Sequence, residues 1–359
     1  MSNTISDVTV VLNMETPNIP LNLGNLALFI KGDKESIESF ETTKELKASD
    51  IYKSNDAVKN IADGYFAQEM HGPKLLVITY TDITNAAEDY YSEGWEFATV
   101  VPDIKQIPAE DGQTEGSSVV GDLTDAITLS KYIDTKKERF LVVGLPATDA
   151  TVTGIENTNK QFNKAQRTIV FVAGKDQLEA EYAIGGLIGA IGNETVGSVT
   201  WKFKHIVGLD PVDLTVTQVE ALHEENAFTY VTKAGIPQTS EGKTLAGEFI
   251  DALHGDDWIK ASLETDLQKL LSTSKKISFD AAGIAQIDAT VTAVLTTATN
   301  NGIIAIKPES NAGQFNVTAA SREESSAQDL ATRNYTGLKF DYTRSGAIHT
   351  VRVNGQINI

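Results

Sequence analysis

The chain has 359 residues, 41% of them hydrophobic, a formal net charge of −19 and no cysteine. That length supports two or three domains with real cores. The acidic excess opposes a phosphate backbone, so direct nucleic-acid binding is not expected, and without thiols there are no disulfides, thiolate metal sites or Cys-ligated cofactors. Near the start, a short apolar run lacks a basic flank and no stretch stands out as long enough to cross a bilayer, so neither a secretory leader nor a membrane partner is expected.

Residues 7–12 place Val8, Val10 and Leu12 on one side of an extended segment, the period of a strand. The stretch from Thr16 to Leu23, with two prolines and two asparagines, reads as a linker, which leaves that strand isolated and makes 1–23 an N-terminal arm. Residues 24–196 alternate short apolar runs with helical patterns. Leu26–Ile30, Lys74–Tyr80, Phe97–Val101, Phe140–Val143 and Thr168–Val172 have strand length. Between them, Val58, Ile61, Ala62, Tyr65 and Phe66 mark one buried helix face, with Ser54 as the expected N-cap. This alternation predicts an α/β layer with a partly parallel sheet. A polar gap from Ala109 to Ser118 reads as an exposed loop.

The pattern over 197–332 is α+β. Trp201–Val207 reads as a strand, Thr215–Glu225 as a helix and Ala227–Thr232 as a strand. A helix is expected to start at Asp256 or Asp257, whose carboxylates suit unpaired amides of a first turn, and another from about Ala281 to Asn300-Asn301-Gly302. The closing stretch, 333–359, is β. Leu338, Phe340 and Tyr342 alternate, Arg344-Ser345-Gly346 supplies a turn, and Val351, Val353, Ile357 and Ile359 share a face, which together predict a C-terminal hairpin.

No catalytic constellation emerges. Pro237-Gln238-Thr239-Ser240-Glu241-Gly242-Lys243-Thr244 ends like a phosphate loop, yet its first position must be a glycine that wraps phosphate with its amide, and Pro237 has no amide hydrogen. Asp251, His254, Asp256 and Asp257 supply four potential metal ligands in seven residues, in no known loop spacing; helix capping explains the acidic pair. Gly185, Gly186, Gly189 and Gly192 lie inside a helical run rather than opening it, so close packing is the better use for them than a dinucleotide fingerprint. No cofactor, catalytic residue or metal ligand is assigned.

An ordered set of segments in the second half resembles the contractile tail sheath proteins of bacteriophages. It runs from Gly197-Ser198-Val199-Thr200-Trp201-Lys202-Phe203-Lys204 and Gly208, through Asn226, Phe228-Thr229-Tyr230, Gly235, Gly242-Lys243 and Gly247-Glu248-Phe249-Ile250-Asp251, to Asp257-Trp258-Ile259, Gly283-Ile284 and Gly346-Ala347-Ile348-His349. The resemblance implies a two-domain structural subunit with an α/β inserted domain, an α+β polymerisation domain and strand arms at both termini. It implies stacked hexameric rings around a tail tube, contraction on stored conformational energy without ATP, and baseplate and tail terminator partners. A place in the virion tail, assembled in the host bacterial cytoplasm, follows from the same likeness. Arm contacts would then fall on Val8, Val10, Leu12, Leu338, Phe340, Tyr342, Val351, Val353, Ile357 and Ile359, and a tube-facing helix would present Lys260, Glu264 and Lys269. An α/β enzyme binding a nucleotide or sugar is the alternative that the strand and helix alternation keeps open, with a tube or baseplate protein next.

Overall fold

The computed structural model describes residues 23–101 and 122–357. Val8, Val10, Leu12, Ile359 and the polar gap from Ala109 to Ser118 lie outside them.

Six strands run parallel: β1 (Leu26–Lys31), β3 (Leu75–Tyr80), β4 (Phe97–Val100), β5 (Phe140–Leu145), β6 (Thr168–Val172) and β7 (Phe228–Lys233). Antiparallel strands β2 (Ser36–Phe40) and β8 (Ile236–Thr239) close the two edges, giving the order β2-β3-β1-β4-β5-β6-β7-β8. The sheet therefore runs unbroken across position 196. Both faces are covered, which is why the central strands read as continuous apolar runs. Leu26, Leu28 and Ile30 point into one core with α3 (Asp56–Phe66) and α7 (Gln177–Ile191). Ala27 and Phe29 point into the other, covered by α4 (Ile83–Asp89), α5 (Thr124–Lys136) and α6 (Asp149–Gln161).

The glycines of α7 do pack closely: a Cβ at Gly185 would lie 1.8 Å from the Ile61 carbonyl oxygen, and one at Gly189 would lie 2.4 Å from that of Tyr65. Backbone against backbone at that distance tolerates no side chain. The α3 N-cap is Asn55, whose side chain accepts from the Val58 amide, so Ser54 instead ends the preceding helix α2 (Asp50–Ser54).

Beyond the sheet, α9 (Ile250–Thr273) and α10 (Ala281–Asn300) pair, and a two-stranded antiparallel sheet joins β9 (Phe315–Ala319) to β10 (Leu338–Tyr342). A third core holds them together: Trp258, Ile259, Leu263, Val291, Val294, Leu295 and Ile304, with Leu338 and Tyr342 packed against it. By length and composition α10 could cross a bilayer, contrary to the expectation that no stretch could, but its Val291, Val294 and Leu295 are buried in that core.

Three further expectations are corrected. Helix α9 begins six residues before Asp256, so Asp256 and Asp257 are interior and cap nothing. Residues 201–207 form turns rather than a strand: Trp201 is buried against Phe97, and Phe203 sits at φ 68°, left-handed geometry that a strand cannot hold. The expected C-terminal hairpin does not form, because β10 takes its partner from β9 and residues 345–357 belong to no strand.

Candidate assembly surfaces

The last described segment leaves the third core at Arg344. There the Ser345 amide donates to the Ile303 carbonyl at 2.9 Å, and the Arg344 guanidinium pairs with Asp256 on α9, which also accepts from Tyr342 Oη at 2.5 Å. Five residues on, His349 is pinned to the body: its Nδ1 lies 2.6 Å from Glu241 Oε1 and its Nε2 2.8 Å from Thr200 Oγ1, with the Phe249 ring edge-on at 4.9 Å. Burial alone would raise the Glu241 carboxyl, but Lys202, 3.2 Å away, and His349 outweigh it and hold the carboxyl below its ordinary range. Glu241, the acidic misfit of the phosphate-loop reading, is thus the hydrogen-bond partner that fastens the C-terminal segment.

Past His349 none of the described residues covers the chain. Val351, Val353 and Ile357 are 75%, 85% and 93% exposed, and Ile348 is exposed as well. Leu338 and Tyr342 are half-buried on their own subunit's core, while Phe340 stays exposed. Among the described residues β9 and β10 pair only with each other, so each keeps an outer edge.

The charged residues of α9 fall on two sides. Lys260 pairs with Glu138 and lies 3.9 Å from Glu264, and both line a cleft of about 180 Å³ with Trp95, Glu96, Arg139 and Asp257. Lys269 instead borders the open groove between α9 and α10, beside Ala289 and Ala293. Glu96, Arg139 and Arg167 each immediately precede a strand, so the cleft sits at the amino ends of β4, β5 and β6. Ligands of open α/β enzymes bind at the carboxyl ends.

Here α9 docks through buried polar contacts. Arg167 forms a bidentate ion pair with Asp257 and His254 meets the Leu23 carbonyl at 2.8 Å, its ring edge-on to Phe97. Burial pushes Asp257 up to about 6 against the pull of Arg167, pushes the adjoining Glu96 well above its usual range, and lowers His254 to about 4. The four ligand candidates therefore diverge, and no group of three His, Asp or Glu side chains among the described residues is arranged for a metal ion. Sequence pattern missed these pairings because the Arg167 and Asp257 partners are 90 residues apart.

Residues 250–357, which comprise α9 through the exposed C-terminal segment, match the family described as E217 tail sheath protein gp31-like, C-terminal domain. Three solved structures match over nearly their whole length. A chain of the anti-feeding prophage baseplate, 6-fold symmetrised, has TM-score 0.67 at 11% identity, covering 99% of this chain and 100% of that one. This is the fold of a contractile tail sheath protein. The PVC sheath of an extracellular contractile injection system, in the contracted state, gives TM-score 0.65 at 12% identity over 99% of both chains. The anti-feeding prophage helical sheath, also contracted, gives 0.64 at 10% identity over 98% and 99%. No curated protein matches the sequence.

Proposed function

We propose that the protein is the structural subunit of a contractile tail sheath, a non-enzymatic protein that polymerises as stacked six-membered rings around a tail tube and contracts on stored conformational energy. The observation that carries this reading is the coincidence of two matches: the whole chain has the sheath fold, and the part that matches in sequence, 250–357, ends in a segment whose Val351, Val353 and Ile357 are left uncovered by the described residues. Exposed apolar edges are tolerated only when a defined partner covers them. The partner in this reading is another copy of the chain, and baseplate and terminator proteins cap the polymer in a phage or phage-like particle.

The two termini act as arms. Val8, Val10 and Leu12 at one end, and Val351, Val353, Ile357 and Ile359 at the other, add as strands to the β9–β10 pair of neighbours, whose Leu338, Phe340 and Tyr342 support the contact. Residues 1–23 and 333–359 are then linking segments, 24–196 the variable body and 197–332 the conserved-type α+β part. Helix α9 faces the tube through Lys260, Glu264 and Lys269, in weak contacts suited to release on contraction. Negative-stain electron microscopy of the purified protein tests the reading: hollow, axially striated cylinders are expected, whereas a monodisperse small oligomer that binds a nucleotide or sugar would replace it with the enzyme.

A further inference from the structure

Asn-Gly occurs twice in the chain, at Asn301–Gly302 and Asn354–Gly355. The dipeptide is reactive because glycine has no Cβ to shield its amide nitrogen from the preceding carboxamide. The two copies have opposite surroundings. Asn301 closes α10 at φ −76°, ψ −10°, its amide donates to the carbonyls of Thr297 and Thr299, and the Gly302 amide donates to Thr299 at 3.0 Å. A nitrogen held in that way on a helical backbone cannot turn onto its neighbour's side chain. Asn354 and Gly355 are exposed, belong to no helix or strand, and make no hydrogen bond with the described residues. A Cβ placed on Gly355 would meet nothing within 4 Å.

We infer that Asn354–Gly355 is a self-modifying site: in the uncovered C-terminal segment the Asn354 carboxamide converts spontaneously to a carboxylate, and the product no longer supports strand addition. The Gly355 nitrogen, as it loses its proton to water, attacks Cγ of Asn354. A C–N bond forms, the side-chain nitrogen leaves as ammonia, and a cyclic succinimide results. Water then breaks either of its two carbonyl–nitrogen bonds, leaving an aspartyl or an isoaspartyl residue; the sum is amide plus water to acid plus ammonia, with no oxidant or enzyme.

Two consequences follow for the segment. The isoaspartyl product lengthens the main chain by one carbon between Val353 and Ile357, which breaks the alternation that keeps them on one face. Either product also places a negative charge two residues from Arg352. These consequences rest on the arm reading above, while the chemistry does not. Covered in a sheet, the Gly355 backbone would be fixed and the reaction slowed, so the site would act on subunits that wait unassembled.

Full-length protein aged at mildly alkaline pH, as free subunits and as cylinders, is digested and mapped by mass spectrometry with an isoaspartyl methyltransferase assay. Conversion at 354 in free subunits, with none at 301, is the expected result. Gly355→Ala should slow it on the order of tenfold by crowding the attacking nitrogen. Aged free subunits should join cylinders less well than fresh ones, and aged Gly355→Ala subunits as well as fresh ones. No conversion at 354 in free subunits, or equal conversion at 301, overturns the inference whatever the arms do. Conversion at 354 at one rate in free and assembled protein supports the chemistry and counts against the arm reading instead.

Discussion

The sheet body and the C-terminal segment carry the same local signal and treat it in opposite ways. In β6 and at the start of β4 the apolar residues are sealed: Phe97, Ile169 and Phe171 have no exposed surface, because helices cover both faces of the sheet. In the segment after His349, apolar residues at the same strand period stand in water. Period says which side chains share a face and is silent on what covers it. A face covered within the chain gives a core, and one left uncovered gives a surface for assembly.

The sharpest way to break the contrast is to remove one side of it. Deleting residues 346–359 takes away no strand and none of the three cores, so the variant should keep a cooperative melt and form no cylinders by electron microscopy. If it precipitates or melts without cooperativity, the segment belongs to the fold and the contrast is false. Within the body, Gly185→Ala drives a Cβ onto the Ile61 carbonyl and should cost about 3 kcal/mol or more in urea unfolding, whereas Gly154→Ala, on α6 with nothing within 4 Å, should stabilise by about 0.5–1 kcal/mol. Equal effects would show that α3 and α7 are not in close contact.

A smaller effect comes from the docking of α9. Glu96 and Asp257 have raised values in the fold, so the stability they contribute is fully present at acid pH and is lost as pH rises through their raised values, about 6 for Asp257. His254, depressed from 6.5 to about 4, has the reverse sign: its contribution is present above 6.5 and is lost as pH falls toward 4. Melting temperature should therefore decline in the wild type as pH rises through those values, and less in Glu96→Gln, whose amide has no proton to lose. Parallel pH profiles for the two proteins would remove Glu96 from the account. Smallest of all, charge reversal at Lys260 or Lys269 should change stability by only about 0–1 kcal/mol, since both residues are exposed. In the proposed reading their larger effect falls on assembly around the tube, and testing them separately distinguishes the cleft side of α9 from its groove side.

Much of the body was legible because burial on both faces writes itself into composition: the five strands expected between Leu26 and Val172 all form. Strand β2 was not, since its Ser-Ile-Glu-Ser-Phe is an exposed edge with only Phe40 buried. The acidic pair at 256–257 misled because a carboxylate before an apolar run looks like a cap, while its partners, Arg167 and Arg344, lie far along the chain. At the C-terminus, the strand tendency of 338–342 was plain but its neighbour was not, because the hairpin partner expected from adjacency is displaced by β9, across an intervening helix. The fastening of His349 on Glu241 had no local signature either; a glutamate inside a loop that resembles a phosphate site shows its role only when the ring arrives from 108 residues away.

The same fastening sets a length. Ile357 lies eight residue steps beyond His349, and at about 3.3 Å per extended residue the tether spans about 26 Å. Under the proposed arm reading, a strand edge in a neighbouring copy that receives Ile357 would have to stay inside that radius of the Glu241 anchor however the subunits turn. A lattice built in that way would widen or shorten only along paths that keep anchor and edge within one tether of each other.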